Sequence, residues 1–561
     1  VAVGFEALKT LNAGALGLNT AVGQQAGKLV TTGIRNTLLG ALAGDALTDA
    51  DFNVALGYAS LSTDTLGSRS TALGFAALET QNFTTATDAY NVAVGHAAGT
   101  AVTTGVQNTI VGGLAGDALT DADFNVAVGM QALTAMTLGS RNVGVGTFAL
   151  MSANVTTATD TYNTAVGHHA GAAVTTGVQN TLIGGLAGDA LTDADRNVAV
   201  GYFALSSDTL GSKSIAIGSG ALFTQNFTTA TDAFNIAIGD AAGLSITTGI
   251  KNTIVGGNAG DALTDADFNV AVGNNALTAD TLGSRSVAIG NSALLTQNFT
   301  TATNSFNTAV GDQAGRAITT GINNTIIGGL AADALTDADF NVAIGTIALG
   351  TDTLGSRSVA VGYGSLQTQN FTTATNSNNV AVGYNSGGAV TTGIKNTLIG
   401  NGCGDALTDA DFNVAVGLNA LTTDTLGSQS VAIGHTALFT QNFTTATDSF
   451  NTAVGHEAGY GVTTGPQNTL IGNKAGFGSS TATRTTTGTA NTVIGYIASV
   501  TAADGDQANV MGAGVSGEGG YTTLGFSSND IRAAHGNVTW ATVSDVRYKK
   551  DIVDSAAGLS F

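Results

Sequence analysis

Short runs of alternating apolar residues recur along the whole chain. One run is N-V-A-V-G from Asn91 to Gly95, and variants begin at Asn108 (N-T-I-V-G), Asn142 (N-V-G-V-G) and Asn235 (N-I-A-I-G). Such a run predicts one short β-strand that ends at the glycine. A chain that repeats this strand more than twenty times predicts an all-β, parallel β-solenoid rather than a globular enzyme.

The asparagines that begin these runs are spaced by 17, 17, 17 and then 21 residues. Four coils therefore form a super-repeat of 72 residues. The third coil of successive super-repeats begins at Asn53, Asn125, Asn197, Asn269, Asn341 and Asn413. Because stacked repeats share one continuous core, the length of 561 residues does not imply several globular domains.

The four coils differ in the segment after the strand. Coil one continues as A-G-x-x-V-T-T-G from Ala98, and coil two as A-G-D-A-L-T-D-A-D-F from Ala115. Coil three continues as A-L-T-x-x-T-L-G-S-R from Ala132, and the longer coil four contains T-Q-N-F-T-T-A-T-D from Thr80. We predict that every coil is a short strand, a turn, a second short strand and a second turn.

Alternation within N-V-A-V-G places the two valines on one face and the alanine on the other. We expect Val92 and Val94 inside the coil and Ala93 against a close neighbour. Gly95 is expected to have a positive φ or to allow close backbone approach, and Asn91 to belong to a ladder of stacked asparagines. A small residue on the second face also suggests a tightly packed partner, so we expect a homotrimer.

Composition narrows the function classes. The chain has 78 Gly but only 1 Pro, which argues against collagen and against a disordered Pro/Gly-rich tract. A net charge of -21 argues against nucleic-acid binding, and no apolar run approaches the ~20 residues that insertion into a membrane requires. Cys403 is the only cysteine, which excludes an intrachain disulfide, and we interpret it as a small buried residue.

The repeat resembles the head of bacterial trimeric autotransporter adhesins, whose coils carry N-S-V-A-I-G-x-x-A. The similar segments are S-V-A-I-G-N-S-A-L from Ser286 and N-V-A-V-G-H-A-A-G from Asn91. The resemblance covers most of the chain. It implies a left-handed parallel β-roll assembled as a homotrimer.

The C-terminus is similar to a different family, the phage tail spikes and fibres that carry an endosialidase-type intramolecular chaperone. The similar segments are L-G-F-S-S-N-D-I-R from Leu524, G-N-V-T-W-A-T-V-S-D-V-R-Y-K-K-D-I from Gly536 and A-G-L-S-F from Ala557. In that family the chaperone trimerises the fibre and then cleaves itself off before a serine. The family's S-D-x-R-x-K motif falls on Ser544, Asp545, Arg547 and Lys549.

The resemblance implies one self-cleavage per chain, between Val543 and Ser544. Ser544 would be the nucleophile, and Lys549 would be the general base if burial lowered its pKa. Asp545 and Arg547 would orient the loop. The alternative is that 544–561 is an inert tail.

These patterns predict four segments. Residues 1–472 form the repetitive shaft, 473–520 are degenerate coils, 521–543 are a C-terminal β element, and 544–561 begin a truncated chaperone domain. The chain starts within a motif, so we also expect it to be part of a longer protein.

The D-A-L-T-D-A-D element of coil two is the sharpest chemical feature. It places acidic triplets at Asp45, Asp49 and Asp51 and at Asp117, Asp121 and Asp123, and it recurs every 72 residues. Clustered carboxylates suit Ca²⁺, but the spacing is not that of the D-x-D-x-D-G calcium loop. The alternative is a turn in which Asp side chains accept hydrogen bonds from backbone N–H groups. A third interpretation pairs them with cations one coil later, at Arg141, Lys213, Arg285 and Arg357.

Two further residue types could bind a ligand. The Phe of the coil-four loop, first seen at Phe83, could stack on a sugar ring or fold back over the core. Histidines follow the strand glycine in some repeats only, so we interpret them as surface turn residues; they are His96, His168, His169, His435 and His456. We find no nucleophile triad, phosphate loop or paired catalytic carboxylates, and we predict no enzyme beyond self-cleavage.

The sequence favours an extracellular phage tail-fibre or spike shaft in the virion. Its predicted partners are two further copies of the chain, other tail proteins and a host-surface receptor such as a polysaccharide. The alternative is a bacterial trimeric surface adhesin head that binds host matrix. An ice-binding solenoid is a third hypothesis, but its flat Thr array is not repeated in every coil type.

Overall fold

The computed structural model describes residues 1–14, 17–478, 484–537 and 541–542, the last pair for their backbone only. It divides into two compact units. The first comprises Val1–Ser286 and Asn298–Asn304, and the second comprises Val287–Gln297 and the described residues from Ser305 onward. All regular elements in these ranges are β-strands, and none is an α-helix, so the predicted all-β parallel solenoid is confirmed.

In the first unit the N-V-A-V-G segments form a single parallel ladder. Its strands are Ala2–Val3, Thr20–Val22, Thr37–Leu39, Val54–Leu56, Thr71–Leu73, Val92–Val94, Thr109–Val111, Val126–Val128, Val143–Val145, Thr164–Val166, Thr181–Ile183, Val198–Val200, Ile215–Ile217, Ile236–Ile238, Thr253–Val255 and Val270–Val272. Each strand pairs with the next in sequence and in register, so that Val92 lies opposite Thr109 and Thr109 opposite Val126.

The second unit repeats this ladder. Its parallel strands are Val287–Ile289, Thr308–Val310, Thr325–Ile327, Val342–Ile344, Val359–Val361, Val380–Val382, Thr397–Ile399, Val414–Val416, Val431–Ile433, Thr452–Val454, Thr469–Ile471, Thr492–Ile494, Asn509–Ala513 and Tyr521–Phe526. Pairing then becomes antiparallel: Tyr521–Phe526 pairs with Asn529–Ala534, which pairs with Ala541–Thr542.

The second short strand is less frequent than predicted. It occurs in coils three and four of the super-repeats and in the degenerate coils that begin at Asn491 and Asn509, where two-residue strands pair in parallel; in the other described coils the chain turns without one. The pairs are Gly67–Ser68 with Thr87–Asp88, Gly139–Ser140 with Thr159–Asp160, Gly211–Ser212 with Thr231–Asp232, Gly283–Ser284 with Thr303–Asn304, Gly355–Ser356 with Thr375–Asn376, Gly427–Ser428 with Thr447–Asp448, and Ser499–Val500 with Ser516–Gly517.

The predicted side-chain orientation within the strand is wrong. Ala93 is fully buried, whereas Val92 and Val94 are only half-buried. The reason is Asn91, whose side chain crosses the inside of the coil and donates from Nδ2 to the Gly105 carbonyl (2.7 Å). Since residues two apart share a face, Ala93 follows Asn91 inward and the valines point outward.

The predicted asparagine ladder is confirmed. Asn91 Oδ1 accepts a hydrogen bond from the backbone N–H of Asn108 (2.8 Å), and Asn108 Oδ1 accepts one from Asn125 (2.9 Å). These amides are buried, and an unsatisfied polar group there would cost about 1–3 kcal/mol. The ladder therefore fixes the register of the coils as well as filling their interior.

Both expectations for the strand glycine, a positive φ and a close approach of the backbone, are confirmed. Gly95 has a φ of 142°, and a Cβ added to it would lie 2.5 Å from the Gly112 carbonyl oxygen. A side chain at this position would clash with the backbone of the next coil, so glycine here is a requirement of close stacking.

Candidate interaction surfaces

The outward residues of the strands form a face that we call the sheet face. It has two columns of mainly β-branched side chains, in which Val92 stacks on Thr109 and Val94 on Val111. The second column stays more than a third exposed in many coils, for example 39% at Ile183 and 37% at Ile238. Apolar residues at the same position of so many successive coils form a continuous exposed patch, and such a patch marks a site where another molecule binds.

A column of aromatic and cationic residues borders the sheet face, at the position before each Asn. Arg141 lies between two exposed rings, with its Cζ 4.7 Å from the Phe124 centroid and 5.8 Å from the Tyr162 centroid. The same arrangement places Arg69 between Phe52 and Tyr90. Cation–π contacts at exposed sites contribute only about 0.5–1 kcal/mol each, so this column also remains available to a partner.

The predicted ion pair between neighbouring coils exists, but its acidic partner differs from the one predicted. Arg141 Nε lies 3.0 Å from Asp160, in the coil-four loop, and Arg69 pairs in the same way with Asp88. The triplet residue Asp123 instead meets Arg141 through the backbone, where its carbonyl accepts from the Arg141 N–H (3.0 Å). The coil-four Asp lies on the strand that pairs with the Gly-Ser strand before the arginine, which brings it closer.

The residues that come directly after each strand glycine form a second exposed surface, which we call the turn face. Tyr58, Phe75 and His96 stack there on consecutive coils, with ring centroids 5.4 and 5.2 Å apart. His435 and His456 stack likewise, 5.0 Å apart. His96, His168, His435 and His456 are exposed and His169 is partly exposed, so their interpretation as surface turn residues is confirmed.

The acidic triplets point in several directions. Asp121 accepts from the Thr104 hydroxyl (2.6 Å) and Asp123 from the Val106 backbone N–H (2.8 Å), both in the preceding coil. Asp117 accepts from Thr134 in the next coil. The backbone-capping interpretation is therefore confirmed for Asp123, and the same bond recurs from Ile34 to Asp51.

The first Asp of the triplet is less well satisfied. Asp45 Oδ1 is buried without a hydrogen-bond partner in the described chain, and burial raises the pKa of this carboxyl. Asp49, by contrast, is exposed and accepts from Thr32 (2.5 Å). Within the described ranges, no group of three or more His, Cys, Asp or Glu side chains could hold a metal ion. Calcium binding therefore stays a prediction.

The aromatic residue of the coil-four loop folds back over the core. Phe83 and Phe227 are only 5% exposed, and Phe371 6%, which excludes them as a sugar-stacking platform in this conformation. The Phe83 ring packs over Gly67, where an added Cβ would lie 2.7 Å from it.

A buried polar network beneath this phenylalanine was not predicted from the sequence. Asp64 Oδ1 accepts from the N–H groups of Gly67 (3.0 Å) and Phe83 (3.2 Å), while Oδ2 accepts from Gln81 Nε2 (2.6 Å). Gln81 Oε1 in turn accepts from Asn91 Nδ2 (2.9 Å). Burial raises the pKa of Asp64 although these donors oppose the rise.

A signal for this network was present in the sequence. In the second super-repeat Met136 stands in place of Asp64 and Ala153 in place of Gln81, so that the two polar residues disappear together. Simultaneous loss of an acid and an amide 17 residues apart indicates that they contact each other.

The remaining predicted residues fall into two groups. Cys403 is fully buried, its Sγ–H donates to the Ala415 carbonyl (3.0 Å), and burial raises the pKa of the thiol to about 12, so its structural role is confirmed. Ser544, Asp545, Arg547 and Lys549 lie outside the described residues, and self-cleavage stays a prediction.

Comparison with known proteins adds no identification. No protein-family model matches the chain, and no curated protein matches it in sequence. Among the described residues, no helix is long and apolar enough to cross a membrane.

Proposed function

We propose that this chain is the shaft of a phage tail fibre or spike, a homotrimer that holds receptor-binding surfaces away from the virion. Its function is mechanical and presentational, and its only chemistry is the single self-cleavage that the C-terminal resemblance implies. The alternative is a bacterial trimeric adhesin head, which would be found on the bacterial cell surface instead of the virion.

The observation that carries the proposal is the sheet face. Val94 and Val111 represent a column of outward apolar residues that continues through each unit with unbroken parallel register. Exposing so much apolar surface to water is unfavourable, and covering it with a partner would stabilise the assembly by about 25 cal/mol per Å² of apolar surface buried. A partner with the same axial repeat would cover it coil by coil, and further copies of this chain have that repeat.

The first experiment measures the assembly state. Sedimentation equilibrium of the full chain should give three times 55.3 kDa. Lysine at sheet-face positions Ile183, Ile238, Ile327 and Ile399 should convert it to a monomer, because each chain would bury four charges in the interface. The matched control places four lysines at Thr84, Thr228, Thr300 and Thr372, which are exposed in the coil-four loop and should leave the trimer intact. A wild-type mass of 55.3 kDa would overturn the proposal.

Two further measurements separate the alternatives. Immunogold labelling with an antibody to the repeats should decorate phage tails; labelling of uninfected bacterial cells would favour the adhesin instead. Intact mass of the full-length gene product tests processing, because Ser544→Ala should abolish the smaller product. If that substitution leaves the mass unaltered, self-cleavage is excluded.

A further inference from the structure

Two exposed surfaces of the coils differ in how much they change between super-repeats. The coil-four loop threonine keeps its identity through six super-repeats, at Thr84, Thr156, Thr228, Thr300, Thr372 and Thr444. The coil-three residue of the turn face differs between every two consecutive super-repeats: it is Tyr58, Met130, Tyr202, Asn274, Thr346 and Leu418. All twelve side chains are exposed, so exposure alone does not explain the variation.

The column that borders the sheet face is also more uniform than the turn face. Its coil-two member is a partly or largely exposed phenylalanine in five of the six super-repeats, at Phe52, Phe124, Phe268, Phe340 and Phe412. A surface that contacts another copy of the same chain must keep the same chemistry in each repeat. The turn face has the opposite behaviour, as expected of a surface that contacts something other than this chain.

The turn face combines aromatic rings with short polar side chains. Tyr363 and Tyr384 stack with centroids 5.3 Å apart and remain 49% and 57% exposed. Other coils present Asp240, Asn274, Asn291 or Asp312 at the equivalent position. Aromatic rings pack against the apolar faces of a ligand, and neighbouring polar side chains form hydrogen bonds with it. A surface that combines the two is suited to bind amphipathic ligands.

Glycine recurs at the coil-two position of the turn face, and at Gly113 no contact inside the chain requires it. At Gly113 an added Cβ would meet nothing within 4 Å, and the backbone there has no positive φ. Ala41 and Asn401 occupy the equivalent position in other super-repeats, so the fold accepts a side chain. The missing side chain leaves a notch one coil high; at Gly185 its wall is the Tyr202 ring, 3.5 Å from the added Cβ.

The charge of this surface limits the chemistry of its ligand. From Gln24 to Tyr496 the residue after the strand glycine is never Lys or Arg, and the whole chain carries -21. A polyanion would therefore be repelled. A protein partner would need one contiguous apolar anchor, whereas here the rings form separate groups along the coils.

We propose that the turn face binds a neutral polysaccharide, whose sugar rings lie against the exposed aromatic rings and in the glycine notches. The polysaccharide is bound by several weak sites on one shaft, so its affinity comes from multivalency. This inference rests on the proposed function, because it takes the fibre shaft itself to be a receptor-binding surface.

The test is an array of purified neutral bacterial polysaccharides, probed with the labelled full chain. We expect binding to a subset of them. Serine at Tyr58, Phe75, Tyr202, Tyr363 and Tyr384 should weaken binding at least tenfold, because five stacking sites are lost. The matched control replaces Thr84, Thr228, Thr300, Thr372 and Thr444 by alanine and should bind as the wild type does.

Two results would overturn the inference: no binding to any polysaccharide on the array, or equal binding by the serine variant and the control. Sedimentation of the same samples keeps this outcome distinct from failure of the fibre proposal. A trimer that does not bind sugar refutes the turn-face assignment only, whereas a monomer refutes the shaft.

Discussion

The first and second super-repeats fill the same interior space in two different ways. In the first, the space between coils three and four holds Asp64 and Gln81, a carboxylate with three hydrogen-bond donors around it. In the second, Met136 and Ala153 fill it with apolar groups, and both Met136 and Ala153 are fully buried. The surrounding strands keep their pairing in both cases.

The interior of these coils is therefore specified by linked sets of residues. When Asp64 is replaced by Met136, Ser70 becomes Asn142 and Ala89 becomes Thr161. The Thr161 hydroxyl then donates to Asn142 Oδ1 (2.7 Å), a contact that Ala89 cannot make in the first super-repeat. At this place in the interior the polar residues are thus either connected to one another or replaced together, because a partly satisfied network is costlier than an apolar one.

Breaking the network at one residue should have the largest effect. Gln81→Met removes the amide that donates to Asp64 and leaves a buried carboxylate with fewer donors. We expect a local loss of about 3 kcal/mol. Hydrogen exchange of the Gly67 and Phe83 amides, which donate to Asp64, should accelerate roughly 100-fold.

Thr84→Ala is the matched control, since Thr84 is an exposed residue of the same loop. It should leave the exchange of both amides unchanged. Unchanged exchange in Gln81→Met as well would show that the amide of Gln81 contributes nothing to the stability of these coils.

The repeat pattern predicted the fold because one strand, one glycine and one asparagine recur at fixed spacing. It could not predict which face of the strand is buried, since Val92 and Ala93 are both apolar and hydrophobicity alone favours the larger residue inside. The decisive residue is polar: Asn91 bonds across the coil and takes Ala93 inward with it. The pattern placed Asn91 in a ladder of stacked asparagines, but it did not indicate that the ladder lies inside the coil.

The corners of the coil were also not predictable from residue type. Phe124 has a φ of 59° and Leu133 one of 54°, the left-handed region that glycine and asparagine usually occupy. Stacking in register imposes these angles, because each corner must repeat the one in the neighbouring coil. The candidate surfaces depend on this geometry, so they became visible only once the orientation of the strand was known.

Copying the interior residues of the second super-repeat into the first should restore most of the stability that Gln81→Met removes. A chain with Asp64→Met, Ser70→Asn, Gln81→Ala, Phe83→Val and Ala89→Thr copies the second super-repeat into the first. We expect coils three and four to lie within about 1 kcal/mol of the wild type in hydrogen exchange. Instability equal to that of Gln81→Met would mean that more distant residues also belong to the set.

Lowering the pH should change amide exchange differently in the two super-repeats, and this effect should be smaller than that of Gln81→Met. Burial raises the pKa of Asp64 and of Asp424, so the folded coils bind these protons more readily than the unfolded chain does. The stabilisation that these raised pKa values provide is therefore fully present below the ordinary carboxyl pKa of 3.8. It is lost as the pH rises through the pKa that the carboxyl has in the folded chain. After correction for intrinsic rates, amide exchange in 64–91 and 424–451 should be slower near pH 4.5 than at pH 7. The segment 136–163, where Met136 replaces the acid, is the internal control and should change less.

The smallest effect is expected on the outer surface of the coils, at the Arg141–Asp160 ion pair. Both side chains are exposed, at 42% and 48%, so solvent screening leaves such a pair about 0–1 kcal/mol. The chain already contains the substitution that tests this. Asn304 and Asn376 replace the aspartate in later super-repeats and still accept from Arg285 and Arg357 at 3.0 and 3.1 Å.

Asp160→Asn should therefore change the local free energy of unfolding by less than about 0.5 kcal/mol, a shift of roughly twofold in exchange at Arg141 and its neighbours. High salt should have the same small effect on the wild type and none on the variant, because only the ionic part of the contact is screened. If Asp160→Asn destabilised the coils as strongly as Gln81→Met, surface charge would have to rank beside the buried network in holding coils three and four together.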